Sequence, residues 1–418
     1  MSKEKIITCS FCLKTNEQVM MIVSGAKANI CDECIQNAHK IVHEQLGDLE
    51  TLEGEPKAIK NNSITKFNYK PKEISAYLDQ YVIGQDDAKK VLSVAIYNHY
   101  KRLNQTVKDE VEIEKSNIIM VGETGTGKTL LAKSIAKMLN IPFAIADATV
   151  FTEAGYVGED VESILSRLLQ SANYDVEQAE KGIVFIDEID KVGRKSDNPS
   201  ITRDVSGEGV QQALLKLLEG AEVLVPPQGG RKHPDQKMVK INTQNILFIC
   251  GGAFEGIDKV IARRIQTSSI GFKSSNEQIA MHKDDLVQYV NSQDLRTYGL
   301  IPELLGRLPI VTYLKSLDKN ALRRILTEPK NALIKQYTQL FKYENIDLQI
   351  QDIALDYIVD KAIEFKLGGR GLRSICELVM TDAMYELPSK KNQTSFIITE
   401  EYAREKIEKS KYAYLKVA

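Results

Sequence analysis

Eight consecutive residues, Gly122-Glu123-Thr124-Gly125-Thr126-Gly127-Lys128-Thr129, have the types and spacing needed to wrap a phosphate chain. Gly122 and Gly127 are separated by four residues and followed by lysine and a hydroxyl side chain, which is the P-loop pattern. Its backbone N–H groups surround phosphate oxygens at a helix N-terminus. Lys128 then reaches the β and γ phosphates, and Thr129 supplies a magnesium ligand, with Leu130 completing the nucleotide-binding stretch. Glycine is needed where a Cβ would keep the backbone from curling around the anion or where φ is positive. Further along, Ile183-Val184-Phe185-Ile186-Asp187-Glu188 is an apolar run ending in two acids. Asp187 is placed to share the magnesium with Thr129. Glu188 is placed to orient and deprotonate an attacking water, which is the chemistry of a hydrolase.

A second constellation is made of cysteine. Cys9 and Cys12 are two residues apart, Cys31 and Cys34 repeat that spacing, and 18 residues lie between the pairs. Two Cys-x-x-Cys turns complete a tetrahedral zinc site with no open position, so the metal is structural and holds together a segment too small for a core of its own. Redox or disulfide pairs are the weaker reading in a chain of 418 residues with six cysteines. His39 and His43 lie one helical turn apart just beyond, and with four thiolates already available they read as surface residues.

The elements that must position these groups are legible on either side of them. Ile118–Val121 reads as a buried strand entering the P-loop, and Leu131, Ile135, Met138 and Leu139 recur at helical spacing after it. Ile141–Ala146 reads as a second strand, and Ile183–Glu188 as a central parallel strand whose C-terminal end reaches the ligand crevice. Asn245–Cys250 reads as another strand. Val210, Ala213, Leu214, Leu217 and Leu218 form a helical stripe that Gly220 ends. Ahead of the P-loop, Tyr81-Val82-Ile83-Gly84-Gln85 precedes a helix beginning near Asp86; the Val82–Ile83 pair packs either on an adenine base or in the core.

Composition bounds the rest. The chain is 43% hydrophobic and 27% charged, as in a soluble globular protein of two or three domains, and no apolar run reaches the length of a membrane span, so a cytoplasmic protein is expected. A formal net charge of −2 gives no general attraction to nucleic acid or anionic membrane. Gly47 to about Lys66 loses apolar patterning and reads as a linker.

Several segments keep two readings. Gly155-Tyr156-Val157-Gly158 is either a turn whose tyrosine folds into the core or a flexible loop with an apolar tip that grips another chain. Arg231-Lys232-His233 is either solvated or attracts an acidic peptide, and Ile270-Gly271-Phe272 either covers its own domain or anchors on a partner. Arg307, near a helix end after Pro302, is a candidate arginine finger for a neighbouring subunit. Arg370, at a loop-to-helix junction, is placed for a cation on the γ phosphate from a second domain. Asp352 reads as the N-cap of a helix carrying the apolar stripe Leu355, Ile358, Val359, Ala362 and Ile363.

Together these residues resemble the AAA+ ATPases and, more narrowly, the unfoldase subunits of the Clp protease, over nearly the whole chain. The P-loop and acidic strand identify only the superfamily; the cysteine module with Gly155–Gly158 and Ile270–Phe272 is far more specific. The resemblance implies an α/β fold: a small four-cysteine zinc-binding module at 1–48, a linker at 49–66, a P-loop AAA+ large domain with parallel sheet at 67–314, and a smaller, mainly helical α+β domain at 315–418. It implies that Val82 and Ile83 flank adenine, that Gly122–Leu130 bind ATP, and that Lys128, Asp187, Glu188, Arg307 and Arg370 serve hydrolysis. Tyr156 and Val157 line a central pore, assisted by Arg203, with Arg231, Lys232 and His233 at its entrance. Ile270, Gly271 and Phe272 dock on the peptidase ClpP, and Cys9, Cys12, Cys31 and Cys34 hold Zn2+ while Thr129 and Asp187 hold Mg2+. The implied assembly is a homo-hexamer that takes tagged protein substrates and adaptors and unfolds them, with no peptidase activity of its own. Glu123 stands where related P-loops often have proline. The competing class is a nucleic-acid motor or clamp loader with the cysteine module as a DNA-binding ribbon, which calls for a basic stripe, whereas here the Tyr156–Val157 tip is apolar and the net charge is −2.

Overall fold

The computed structural model describes residues 7–15, 18–25, 28–35, 37, 68–104, 113–152, 159–193, 207–226, 238–268, 286–365, 368–390 and 393–409. The chain forms two compact units, Met1–Asn62 and Ser63–Ala418. In the first, β1 (Ile22–Ser24) and β2 (Asn29–Cys31) pair antiparallel with Ile22 opposite Cys31. Of its described residues only Cys9 and Cys31 are buried, while Phe11, Leu13 and Met20 stand 69%, 76% and 94% exposed. The described residues of this segment gather no apolar core.

The second unit is built on strands β3 (Ile118–Val121), β4 (Phe143–Asp147), β5 (Ile183–Asp187), β6 (Glu222–Val225), β7 (Val239–Asn242), β8 (Leu247–Gly252) and β9 (Ile310–Tyr313). Strands β6 and β7 make an antiparallel hairpin; the other five form a parallel sheet in the order β4-β5-β8-β3-β9. The central strands are apolar throughout because both faces are covered: every residue of β3 and β8 is buried, and so are Ile183–Ile186 of β5. On one face lie Ile119, Val184, Phe248 and the Glu208–Glu219 helix; on the other Ile118, Phe185 and Ile249 pack against the Asp86–Leu103 and Lys128–Leu139 helices. Two strands begin later than the sequence pattern suggests. Ile141 and Pro142 precede β4, and Thr243–Asn245 is a 3-10 turn ahead of β8, held by the Asn242 side chain accepting from the Gln244 N–H at 2.9 Å.

A separate core follows β9, gathered by the helices Lys319–Thr327, Leu333–Tyr343, Asp352–Glu364 and Gly368–Glu386 with the parallel pair β10 (Asp347–Ile350) and β11 (Ser395–Ile398). Here Gln351, not Asp352, is the N-cap; Asp352 is the first helical residue, and its carboxylate accepts from Arg323 at 2.9 Å. Arg370 lies inside the first turn of its helix rather than in a preceding loop. Among the described residues no helix is long and apolar enough to cross a membrane.

Candidate active site

The C-terminal edge of the parallel sheet opens into a cavity of about 480 Å³. Open parallel sheets bind ligands at this edge, where the strand order reverses. β3 delivers the Gly122–Thr129 loop, which runs straight into the Lys128–Leu139 helix through Gly127 at φ 108°. The first turn of that helix therefore presents its unpaired N–H groups to the cavity. Thr124–Leu130 line it, together with Tyr81, Val82 and Ile83, with Asp187 and Glu188 from the end of β5, and with Gly369 and Arg370 from the helical part. Sequence-assigned residues from four separate stretches of chain thus meet in one place.

Their contacts define what the site can do. The Lys128 ammonium donates to the Gly122 and Glu123 carbonyls at 2.5 and 2.9 Å, so the loop's own oxygens hold it at the cavity wall. Burial lowers its pKa, the carboxylates of Asp187 and Asp190 act in the opposite sense, and Arg370 adds to the lowering. A site that disfavours a second cation in this way is relieved by a polyanion. The Thr129 hydroxyl donates to Asp187 Oδ2 at 3.0 Å, so the two oxygens assigned to magnesium already lie side by side. Glu188 adopts φ 57°, unusual for a residue with a Cβ, and its N–H donates to Asp187 Oδ1 at 3.0 Å. This left-handed turn ends the strand and leads into the 3-10 turn Ile189–Val192.

The P-loop also touches the helical part through backbone. A Cβ on Gly125, which has φ 84°, would lie 3.2 Å from the Gly369 nitrogen, and one on Gly369 would lie 2.8 Å from the Gly125 oxygen. Contact with backbone excludes a side chain at Gly369, the positive φ and tight approach disfavour one at Gly125, and Arg370 follows directly.

Sequence reasoning missed several lining residues: Asp190, Lys191, Ala253, Glu255, Leu317 and Ile325. Asp190 had a signal, lying two residues beyond Glu188. It is buried, its Oδ1 accepts from the Ala253 N–H at 3.1 Å, and its Oδ2 accepts no hydrogen bond, with the Lys191 ammonium 3.6 Å away. Leu317 and Ile325 come from the helical part and carried none. No polar side chain arises from the end of β8, because a Cβ on Gly251 would lie 2.8 Å from the Phe185 ring and 3.6 Å from Lys128 Cδ.

Arg307 is not among the residues lining this cavity. It caps the Pro302–Gly306 helix, its guanidinium donates to Glu219 Oε1 at 3.0 Å, and its side chain is 52% exposed. Tyr156, Val157, Arg203, Arg231, Lys232, His233, Ile270, Gly271 and Phe272 lie outside the described residues, as do His39 and His43.

In the first unit the Sγ atoms of Cys9, Cys12, Cys31 and Cys34 all lie within 4.8 Å of one another, with Cys12 and Cys31 3.5 Å apart. Tetrahedral zinc with Zn–S bonds of ~2.3 Å spaces its sulfurs by about 3.8 Å, so the cluster fits the ion. The N–H groups of Phe11 and Cys31 point at Cys9 Sγ at 3.4 and 3.3 Å, the pattern that steadies a thiolate.

Family models match the chain in three places: a ClpX C4-type zinc finger at residues 7–44, an AAA domain of the Cdc48 subfamily at 113–311, and the C-terminal D2-small domain of ClpB protein at 317–397. The ATP-dependent Clp protease ATP-binding subunit ClpX of Bacteroides thetaiotaomicron is 59% identical over 415 residues, covering 98% of each chain. The chain belongs to the ClpX family. The protein of the same name from Bacteroides fragilis is 58% identical over 100% of this chain and 99% of its own, and that of Porphyromonas gingivalis 59% identical over 94% and 95%. Membership in the ClpX family makes the chain an AAA+ ATPase and an ATP-dependent Clp unfoldase, with nucleotide bound by the AAA domain and zinc by the C4 finger. The reading as a nucleic-acid motor is not favoured.

Proposed function

We propose that the cavity at the end of β3 and β5 is where this chain hydrolyses ATP, and that hydrolysis drives unfolding of tagged proteins by a hexameric ring. The observation that carries the reading is the convergence of Lys128, Thr129, Asp187 and Glu188 with Arg370 of the helical part around one cavity. The Lys128 ammonium leaves the Gly122 and Glu123 carbonyls for the β and γ phosphates, and Glu188 takes a proton from the attacking water. Thr129 and Asp187 would hold the magnesium ion, which neutralises phosphate charge when bound. Val82 and Ile83 face the adenine, and Arg370 places positive charge beside the γ phosphate.

The pairing of Arg307 with Glu219 outside the cavity supports a finger that acts on a neighbour's nucleotide, and that arrangement calls for a ring. Residues 67–314 and 315–418 then work as large and small domains around the nucleotide, with 1–48 as a docking module for adaptors and 49–66 as its tether. Tyr156 and Val157 grip the polypeptide in the pore with Arg203, Arg231, Lys232 and His233 around it, and Ile270, Gly271 and Phe272 hold the peptidase ClpP, all in the cytoplasm. A client domain is stable by roughly 5–15 kcal/mol, so repeated pulls on a locally frayed end, rather than one event, unfold it.

The test is a folded, tagged fluorescent reporter incubated with the purified chain and ATP, with and without peptidase. Unfolding that needs ATP is expected. Glu188→Gln should keep nucleotide affinity while turnover and unfolding fall by about 10²–10⁴-fold. ATP consumption with every reporter left folded would overturn the reading.

A further inference from the structure

The loop that carries Val82 and Ile83 is tied to the strand exit leading into the helical part, and the tie runs through one side chain. Gly84 and Gln85 both lie in the left-handed region, at φ 63° and 61°. For glutamine this is an unfavourable conformation, held here at the N-cap of the Asp86–Leu103 helix. The turn directs the side chain of Gln85, a residue only 8% exposed, at the backbone of Lys315. Gln85 Nε2 donates to the Lys315 carbonyl at 2.8 Å, and the Lys315 N–H donates to Gln85 Oε1 at 2.8 Å. One amide thus satisfies both backbone groups of a residue between β9 and the Lys319–Thr327 helix, as a neighbouring strand would.

Surrounding contacts reinforce the tie. The Tyr313 hydroxyl donates to Asp87 Oδ2 at 2.6 Å, and the Lys315 ammonium lies 3.5 Å from the same oxygen. The Leu314 N–H donates to Val121 O at 2.8 Å, which fixes the same segment to the strand entering the P-loop. Two residues beyond Lys315, Leu317 lines the same cavity as Val82 and Ile83. The loop on the base side of the cavity and the first segment of the joint therefore share a hydrogen-bonded frame that runs through the Gln85 amide.

We propose that Gln85 is a positioning residue that couples occupation of the base side of the cavity to the joint between the sheet-bearing and helical parts. Filling the cavity that Val82, Ile83 and Leu317 line shifts the loop, and the Gln85 amide carries that shift to Lys315. The proposal rests on the placement of the base beside Val82 and Ile83.

Hydrogen–deuterium exchange on the full chain, with and without ATPγS, tests it, read on peptides covering 81–84, 122–130 and 313–318. In the unaltered protein ATPγS is expected to slow exchange in all three. Gln85→Ala should speed exchange in 313–318 by about five- to tenfold, the effect of losing one neutral hydrogen bond on that amide. It should also abolish the ATPγS-dependent slowing there while leaving slowing at 122–130 intact, with KM for ATP changed less than about threefold. Gln85→Glu keeps the acceptor for the Lys315 N–H but sets a carboxylate against the Lys315 carbonyl, so it should retain only part of the effect. Gln85→Gly relaxes the left-handed backbone and removes the amide, and should behave as Gln85→Ala. Retained slowing at 313–318 in Gln85→Gly overturns the coupling, as does loss of slowing at 122–130 in all three variants, which makes Gln85 a plain structural support. No slowing at 81–84 in the unaltered protein rejects the base placement itself, an outcome distinct from failure of the clamp.

Discussion

The phosphate-binding cleft and the cysteine module hold their reactive groups by opposite means. In the cleft, Lys128, Thr129, Asp187 and Glu188 sit at the ends of a strand and a helix whose interiors are buried, so the sheet fixes them before any ligand arrives. In the module only the two cysteines Cys9 and Cys31 are buried among the described residues, and large apolar side chains face outward. Its thiols are held by short backbone turns, and the metal has to supply the free energy that a core supplies elsewhere. A site on a core is preorganised and tolerates an empty state, whereas a site without one exists only as long as its ion does.

The sharpest way to break this comparison is to remove the zinc. Apparent binding free energies of structural zinc are about 10–16 kcal/mol near neutral pH, so Cys12→Ser or a strong chelator should unfold the module and leave the rest folded. Zinc content should fall to near zero, limited proteolysis should cut within residues 7–37, and basal ATP turnover should persist. Coincident loss of ATP turnover would mean that the two sites depend on each other for folding.

Crowding inside the cleft gives a smaller effect. Gly251→Ala puts a methyl 2.8 Å from the Phe185 ring and close to Lys128 Cδ, and should cost about 1–3 kcal/mol of stability. Gly306→Ala is the control: a Cβ there meets nothing within 4 Å, so its melting temperature should hold or rise slightly. Equal losses in both would show that the end of β8 has slack.

The smallest effect is a pH dependence at the far edge of the sheet. His99 Nε2 lies 3.1 Å from the Asn245 carbonyl, which can only accept, so this nitrogen carries the proton; Nδ1 is buried without a hydrogen bond. Burial first, then the charges of Arg102 and Lys115, pulls the His99 pKa from 6.5 down to about 3. Between those values the unfolded chain binds a proton that the folded chain refuses. Its contribution to stability is therefore present above pH 6.5 and is lost as pH falls toward 3, at up to about 1.4 kcal/mol per pH unit. Denaturant unfolding between about pH 7 and 5.5 should show this slope, and His99→Gln should flatten it.

How much of this is legible in the sequence follows from the same contrast. β3, β5 and the P-loop announce themselves because strands buried on both faces must be continuously apolar and because glycine spacing around phosphate is demanding. The cysteine spacing is equally direct, since two turns and one ion are the whole design. What stays hidden depends on contacts between distant stretches. Leu317 and Ile325 look like ordinary apolar residues of a helical region until folding brings them to the cavity that Val82 also lines. The end of β8 offers no polar side chain to assign, and Phe185 explains why none fits at 251. Asp352 reads as a cap because its type suits one, yet Arg323 takes its carboxylate and Gln351 fills the position. Arg370 reads as a junction residue because two glycines precede it, but glycine keeps its backbone N–H and C=O, costs a helix only conformational entropy, and here occupies the first turn.

Gly125 and Gly369 meet main chain to main chain, with no room for a methyl on Gly369 and a tight 3.2 Å approach at Gly125. Side chains can swap rotamers to absorb a displacement, but two bare backbones cannot, so there is no cushion at this point. Any swivel of the helical lobe is therefore felt at once by the loop that cups the phosphates, and any reshaping of that loop pushes the lobe. The contact is built as a bearing, with bare backbone on both sides of it.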